Sequence, residues 1–282
     1  MATSLSTEQI KTIEQFRDNR EASLRREYGW LSLAGLFWLQ EGENAFGSAA
    51  DNPIRLPART PAQAGILSVS GGRVAVTPAA GVSLRLNENE LEGTSPQLKD
   101  DSSGQPDFLF LDDIRLAVII RGGKPAVRVW DPRSPVRRDF AGCVWYAPDA
   151  RFRVTAKIKA YAQPKQVVIA DIIGSQNPAE MQAALAFQLD GKEYRLDAEL
   201  QEDGSYYIIF KDSTAGKTTY PAGRYLTTEV AEGDRVVIDF NFAHSPPCAV
   251  TEFATCPLPL PQNVLPAAIE AGEKYLGGGG HA

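Results

Sequence analysis

The 282-residue chain is 43% apolar and 23% charged, with 29 basic against 35 acidic residues and a net charge of −6, a composition that supports a large folded core without a disulfide framework. This balance, free of long blocks of one sign, argues against an electrostatic footprint for nucleic acid, and no window approaches the roughly 18 consecutive apolar residues of a membrane span. The first twenty residues lack the apolar core of a signal peptide, and three cysteines, an odd number, suit a reducing compartment, so the expected location is cytoplasmic.

Ser6 with Gln9 three residues later is a capping-box pattern, followed among charges by Ile10, Ile13, Phe16 and Leu24. It predicts a helix over residues 7–27, ended by Gly29, with a narrow apolar stripe lying on a larger body. The expected division is this helix over 1–28, one mostly-β domain over 29–276, and a flexible glycine-rich tail over 277–282 that removes His281 from any ordered site. "GWLSLAGLFWLQEGENAFGS" (29–48) carries Trp30, Leu31, Leu33, Leu36, Phe37, Trp38, Leu39 and Phe46. It reads as an anchor packed into the core, with the lining of a ligand pocket as the alternative.

From residue 54 onward short alternating or β-branched runs are separated by turn residues, with hairpin signals at Gly71-Gly72, Gly122-Gly123 and Asp190-Gly191 and a further turn at Asp203-Gly204. Parallel strands would need crossovers of a dozen or more residues, so the pattern predicts a mainly β fold: a large antiparallel barrel- or sandwich-like sheet system. Two segments, "NPAEMQAALA" and "LPAAIEAGEKYL", are helix candidates, the first also able to run straight into a strand. Residues 241–263, "NFAHSPPCAVTEFATCPLPLPQN", hold Pro246, Pro247, Pro257, Pro259 and Pro261. Fixed φ and missing donors exclude a central strand or helix there, so a stiff polyproline-like belt across a sheet face or barrel end is expected.

That belt also holds the chemistry-bearing residues. With His281 set aside, His244 is the one histidine left for base catalysis, and Cys248 lies four residues on. No Gly-x-Ser-x-Gly elbow occurs, and a buried cysteine beside a hydrogen-bonded histidine is preferred over a nucleophile–base pair. His244, Cys248 and Cys256 have the residue types of soft-metal ligands, which Cys143 or Asp239 would have to complete; without a C-x-x-C pair no metal or other cofactor is expected. A Cys248–Cys256 disulfide is sterically open but disfavoured by the inferred compartment. "AGKTT" (215–219) lacks the glycine and the following helix of a phosphate loop. Arg133, Arg137 and Arg138 in the loop 131–142, together with Arg224, suit either internal ion pairs or a carboxylate or phosphate ligand. Asp239 and Glu270, flanking the belt, are the carboxylates to watch.

"GWLSLAGLFWLQEGENAFGS", "RSPVRRDFAG", "TTYPAGRYL" and above all "DFNFAHSPPCAVTEFATCPLPLPQN" followed by "AIEAGEK" resemble, in order and over nearly the whole chain, the bacterial and archaeal family of domain of unknown function 1684. The resemblance implies a soluble, predominantly β protein and no established activity. It also implies an aromatic residue in some members where this chain has His244, so obligatory histidine chemistry is not expected. The matched segments make Asn241, Cys248, Thr251, Cys256, Asn263, Glu270, Arg137 and Arg224 the candidates for a shared site. Two functions are expected in parallel. One is binding of a small polar or anionic metabolite in a cleft bordered by the belt and the arginine loop, with hydrolysis the reaction if there is one. The other is a non-catalytic scaffold or homo-oligomer that docks through Trp30 and Trp38.

Overall fold

The computed structural model describes residues 4–275 and Gly277; the rest of the tail expected over 277–282, His281 included, lies outside the described residues. Strand accounts for 42% and helix for 15%, so the fold is mainly β, as the patterning predicts. The alternation shows no linker and groups 29–276 as one body; by packing, the chain forms two compact units, Ser23–Phe140 and Met1–Ala22 with Ala141–Ala282. The boundary at Phe140 falls in the proline-broken arginine loop. No helix of the described residues is long and apolar enough to cross a membrane.

The unit Ser23–Phe140 is built from two sheets. Its strands in chain order are β1 (Leu33–Trp38), β2 (Gly42–Gly47), β3 (Ile54–Arg55), β4 (Gly65–Ser70), β5 (Arg73–Pro78), β6 (Arg85–Leu86), β7 (Asn89–Glu90), β8 (Leu109–Leu111), β9 (Ile114–Arg121) and β10 (Lys124–Trp130), followed by the short helix α2 (Pro135–Arg138). They form a six-stranded sheet, β1-β10-β9-β8-β6-β7, and a four-stranded one, β3-β2-β4-β5. Gly71-Gly72 and Gly122-Gly123 make the expected turns with positive φ. The core expected of 29–48 is seen in Leu31, Leu33, Leu39 and Phe46, all buried, whereas Trp38 is 40% exposed at the end of edge strand β1.

In the other unit the N-terminal helix α1 (Thr7–Leu24) begins with the predicted reciprocal cap: Ser6 N–H donates to Gln9 Oε1 at 2.8 Å and Gln9 N–H to Ser6 Oγ at 3.1 Å. It ends at Leu24, three residues before the predicted limit, and Gly29 N–H then donates to the Arg26 carbonyl. Ile13 is fully buried, and Phe16 meets the rings of Trp145, Phe242 and His244. The strands are β11 (Val144–Trp145), β12 (Arg153–Ala170), β13 (Gln176–Leu189), β14 (Lys192–Leu200), β15 (Tyr206–Phe210), β16 (Arg224–Thr227), β17 (Arg235–Asp239) and β18 (Glu273–Lys274). Six of them form an antiparallel sheet in the order β16-β15-β14-β13-β12-β17.

That sheet curls into a half-barrel, and the chain shows how. Leaving edge strand β17 at Asp239, it pairs His244 with Tyr225 of the opposite edge strand β16, while Glu229 just past β16 donates to the Val237 carbonyl on β17. Two edges bridged by so short a span must lie near each other. The concave face holds a core that includes Phe152, Leu185, Phe187, Leu196, Ile208, Phe210, Leu226, Ile238 and Phe240.

Both later helix candidates are strand or irregular chain. "NPAEMQAALA" belongs to β13, where Pro178 pairs with Val168 of β12 beyond the reach of β14, so its missing N–H is not needed by a second neighbour. In "LPAAIEAGEKYL" the backbone is captured by other groups. Arg224 takes the Ile269 and Ala271 carbonyls, Asp212 takes the Ile269 N–H at 2.6 Å, and Gly272 has φ +79°. Tertiary hydrogen bonds thus override a local helical tendency.

Gly272 is a sharp backbone constraint. A Cβ there would stand 2.3 Å from the Ala243 carbonyl oxygen and 2.9 Å from that of Phe240. Gly272→Ala is expected to destabilise the protein by at least about 2 kcal/mol in urea unfolding, through combined left-handed strain and clash; a loss within about 0.5 kcal/mol would contradict the close approach.

Candidate functional site

The proline belt is seated by backbone bonds to two elements. Leu258 N–H donates to the Ala170 carbonyl at 2.8 Å and Ile172 N–H to the Cys256 carbonyl at 2.9 Å, which tie it to the tip of the β12–β13 hairpin. The Tyr225 hydroxyl reaches the Pro257 carbonyl at 3.0 Å from β16. The hairpin tip projects past its neighbours, since β14 pairs only with Ala183–Leu189 and β17 only with Arg153–Lys157. Its register shifts between Ala160 and Lys165, and such a bulge bends a strand. The projecting arm meets the belt in a small apolar cluster of Ile169, Met181 and Leu260.

Between arm, belt and sheet lies a narrow cleft enclosing about 20 Å³, lined by Ile169, Met181, Tyr207, Ile209, Leu258 and Leu260, with Asp197, Glu199 and Asn263 supplying the polar atoms. Asp197 in its wall is 3% exposed. Its carboxylate accepts from Tyr161 Oη at 2.7 Å, Lys165 Nζ at 2.9 Å and Gln262 Nε2 at 2.8 Å. Its backbone N–H donates to Asn263 Oδ1 at 2.8 Å, and Asn263 Nδ2 donates to the Asp197 and Ile209 carbonyls, both at 2.9 Å. Arg195 Nη2 donates to Tyr161 Oη at 2.7 Å. Burial pushes the Asp197 carboxyl up, but the hydrogen bonds from Lys165, Tyr161 and Gln262 outweigh it and hold the group below the usual carboxylate range. Lys165 is correspondingly raised by its bond to Asp197, and Tyr161 is raised by burial and by the same carboxylate.

Of the sequence candidates, only Asn263 lies in this cleft. Arg224, 1% exposed, pairs with the equally buried Asp212 at 3.4 Å and donates to the Ile269 carbonyl at 2.9 Å and to that of Ala271. Desolvation lowers its pKa against the pull of Asp212. Asn241 bridges Asp149 and Asp239, accepting from Asp149 N–H and donating to its carbonyl, both at 3.0 Å, and donating to Asp239 Oδ1 at 2.7 Å. Thr251 Oγ1 accepts the Phe253 N–H at 3.3 Å in a local turn. Glu270 is exposed. Arg137 belongs to the other unit, where it donates to the Arg25 and Pro132 carbonyls at 3.0 and 2.9 Å.

His244 sets its ring between Phe16 and Tyr225, with Nδ1 3.1 Å from the Phe242 carbonyl. Desolvation, helped by Arg20, lowers its pKa to about 4. Cys248 and Cys256 are both buried, and the Cys248 N–H donates to Cys256 Sγ at 3.2 Å. The bond from Cys256 draws the Cys248 thiol down, and its counterpart, reinforced by burial, drives the Cys256 thiol up. Among the described residues no group of three or more His, Cys, Asp or Glu side chains is placed to hold a metal.

Asp197, Tyr161, Lys165, Arg195 and Gln262 were not singled out by the sequence. On β14, Leu196 and Ala198 point into the core while Arg195, Asp197 and Glu199 take the outer face, which reads as an ordinary solvated stripe. Only the covering arm and belt turn part of that stripe inward, and no local signal announces them.

Two consequences are measurable. Replacing one partner of a buried ion pair strands the other, so Arg224→Met is expected to cost about 3–5 kcal/mol in chemical unfolding. The double variant Arg224→Met/Asp212→Asn should lose clearly less than the sum of the single losses. Additive losses would mean that the pair is not coupled. His244 stays neutral in the folded protein down to about pH 4, whereas an unfolded histidine takes up its proton near 6.5. The unfolded chain therefore binds the extra proton in that window, and stability falls as the pH drops through it. Between about pH 7.5 and pH 5, His244→Phe should lose up to about 2 kcal/mol less stability than the parent; identical losses would show that His244 is protonated normally.

Comparison with known proteins adds a family and a similar solved protein. The model described as "Protein of unknown function (DUF1684)" matches residues 138–274. Among solved structures the chain is similar to the solution NMR structure of an uncharacterized protein of Haloarcula marismortui, at 34% identity over 51% of this chain and 82% of that one, with a TM-score of 0.42. No curated protein matches. The matched span carries the belt and every strand of the half-barrel, and the chain belongs to the family of unknown function DUF1684.

Proposed function

We propose that the protein binds a small carboxylate-bearing metabolite with a short apolar body in the cleft between the β12–β13 arm and the proline belt. One observation carries this reading: two half-exposed cations and a phenol converge on the buried Asp197, which lines the cleft together with several apolar side chains. Lys165 and Arg195 keep 45% and 55% of their side-chain surface open while both lie within 4.0 Å of the buried Asp197. Tyr161 bridges Arg195 and Asp197 through its hydroxyl. A guanidinium and an ammonium held side by side suit a carboxylate, whose apolar remainder would lie against Ile169, Met181, Leu258 and Leu260. The enclosed space is only about 20 Å³, room for about one water, so the ligand would sit on the open rim beside Lys165 and Arg195. Asp197 and Asn263 serve as supports: the carboxylate fixes Tyr161 and Lys165, and the amide fixes the strand that carries Asp197.

The test is a thermal-shift and calorimetric titration with short aliphatic carboxylates against amides and amines of equal length. Carboxylates should bind best, and Lys165→Ala and Arg195→Ala should each weaken binding about tenfold, close to 1.4 kcal/mol. Equal binding of amines, or affinities indifferent to both substitutions, would discard the reading.

A second reading is assembly through the aromatic N-terminal segment, favoured by Trp38 lying 40% exposed on edge strand β1. Sedimentation velocity separates the two: an oligomer that Trp38→Lys dissociates supports assembly, and a monomer at all concentrations removes it.

A further inference from the structure

We propose that Cys248 and Cys256 form a dithiol–disulfide redox site beneath the proline belt, oxidised by a hydroperoxide. The inference is independent of the carboxylate cleft and rests on the placement of the two sulfurs. Cys256 Sγ accepts the Cys248 backbone N–H at 3.2 Å. The amide nitrogen lies about 1.46 Å from its own Cα, so that sulfur is no farther than about 4.7 Å from the Cys248 Cα. In a disulfide the partner sulfur is three bonds from that Cα, roughly 3–4.5 Å away. Rotation about the single χ1 of Cys248, with little backbone movement, is therefore enough to bring the sulfurs to bonding distance.

The surroundings favour a pair that reacts with itself. The Tyr220 hydroxyl donates to the Cys248 carbonyl at 3.0 Å and the Tyr225 hydroxyl to the Pro257 carbonyl at 3.0 Å, so both phenols fix the backbone beside the sulfurs. His244 is engaged with the Phe242 carbonyl and with the rings of Phe16 and Tyr225. Prolines stand next to both cysteines, Pro247 before the first and Pro257 after the second, and hold the ends of the intervening loop. Residues 250–255 between them form no helix or strand, and such a segment opens locally at lower cost than a sheet. Cys248 and Cys256 are 0% and 4% exposed, which restricts the oxidant to one as small as hydrogen peroxide.

The reaction balances without a further reactant. One sulfur attacks a peroxide oxygen, the O–O bond breaks, and a sulfenic acid and one water result. The second sulfur attacks the sulfenic sulfur, the S–S bond forms and the S–OH oxygen leaves as a second water. Two electrons pass from the sulfur pair to the peroxide, and both thiol protons end in water.

The experiment uses the whole wild-type protein. It is treated with a slight excess of hydrogen peroxide, denatured with an alkylating agent present, and analysed by intact mass and peptide mapping. The expected result is a loss of about 2 Da before alkylation, a fall in alkylatable thiols from three to one, and a linked peptide joining Cys248 to Cys256 that dithiothreitol releases. Cys143→Ser should form the same link, and Cys256→Ser should instead gain about 16 or 32 Da on Cys248. The proposal is overturned if the wild type gains oxygen with no 248–256 link. It is equally overturned if all three thiols stay alkylatable at a peroxide dose that fully oxidises a free cysteine peptide, or if the only link is between chains through Cys143.

Discussion

A fully buried guanidinium sets the geometry of the half-barrel unit. Arg224 opens edge strand β16 and spends its donors on the Asp212 carboxylate and on the Ile269 and Ala271 carbonyls. Asp212 in turn accepts from Thr214 Oγ1 and from the Ile269 N–H. A charge this buried is tolerated only when its donors are met in full, and arginine's rigid fork can satisfy a carboxylate and two carbonyls at once. The result is that the segment after the belt, which has little regular structure of its own, is pinned residue by residue to the sheet. Gly272 then passes close to the Ala243 and Phe240 carbonyls, and Glu273 reaches the Ser245 N–H at 3.1 Å and Arg20 of α1 at 3.4 Å. Helix, belt and C-terminal segment are thereby connected through one polar core beside the apolar one.

The proline belt works by another physical route. Its rings restrict the unfolded chain before folding begins, so fixing it costs less entropy than fixing an ordinary loop. It needs few partners in consequence: the backbone bonds of Cys256, Pro257 and Leu258 reach the arm tip and Tyr225, and the 3₁₀ turn Pro261–Asn263 brings Asn263 under β14. Asn263 is the hinge of this arrangement. Its amide meets Asp197 N–H, the Asp197 carbonyl and the Ile209 carbonyl, filling the ladder positions that an edge of β14 would otherwise leave open, and so converts an exposed strand face into the floor of a cleft.

Those two arrangements explain which features were legible in the sequence. The capping box at Ser6 and Gln9, the glycine turns and the alternation of β4, β5 and β15 depend on neighbours a few residues away, and each is found in the structure. The belt was legible because proline acts on its own backbone wherever it sits. Asp197 was not, because its burial is imposed by residues 161–165 and 262–263, and its own strand offers only the outer-face charge of a half-solvated sheet. "LPAAIEAGEKYL" misled for the same reason in reverse: its helical composition is local, and the Arg224 and Asp212 bonds that overrule it come from about fifty residues earlier in the chain.

The same reasoning orders the candidate residues by chemistry. Arg224 was a ligand candidate because guanidinium forks fit anions, and the structure shows that fork closed on an internal anion and two carbonyls, with desolvation lowering its pKa. Lys165 and Arg195 attracted no notice as two charges among many, yet each keeps about half of its side-chain surface in solvent beside a buried carboxylate. What separates these two kinds of cation is therefore the surplus of donors left after internal partners are satisfied. At Arg224 that surplus is used up, whereas beside Asp197 an ammonium and a guanidinium share one carboxylate and a phenol. Asp197 and Tyr161 thus hold both cations in place while part of each stays open to solvent.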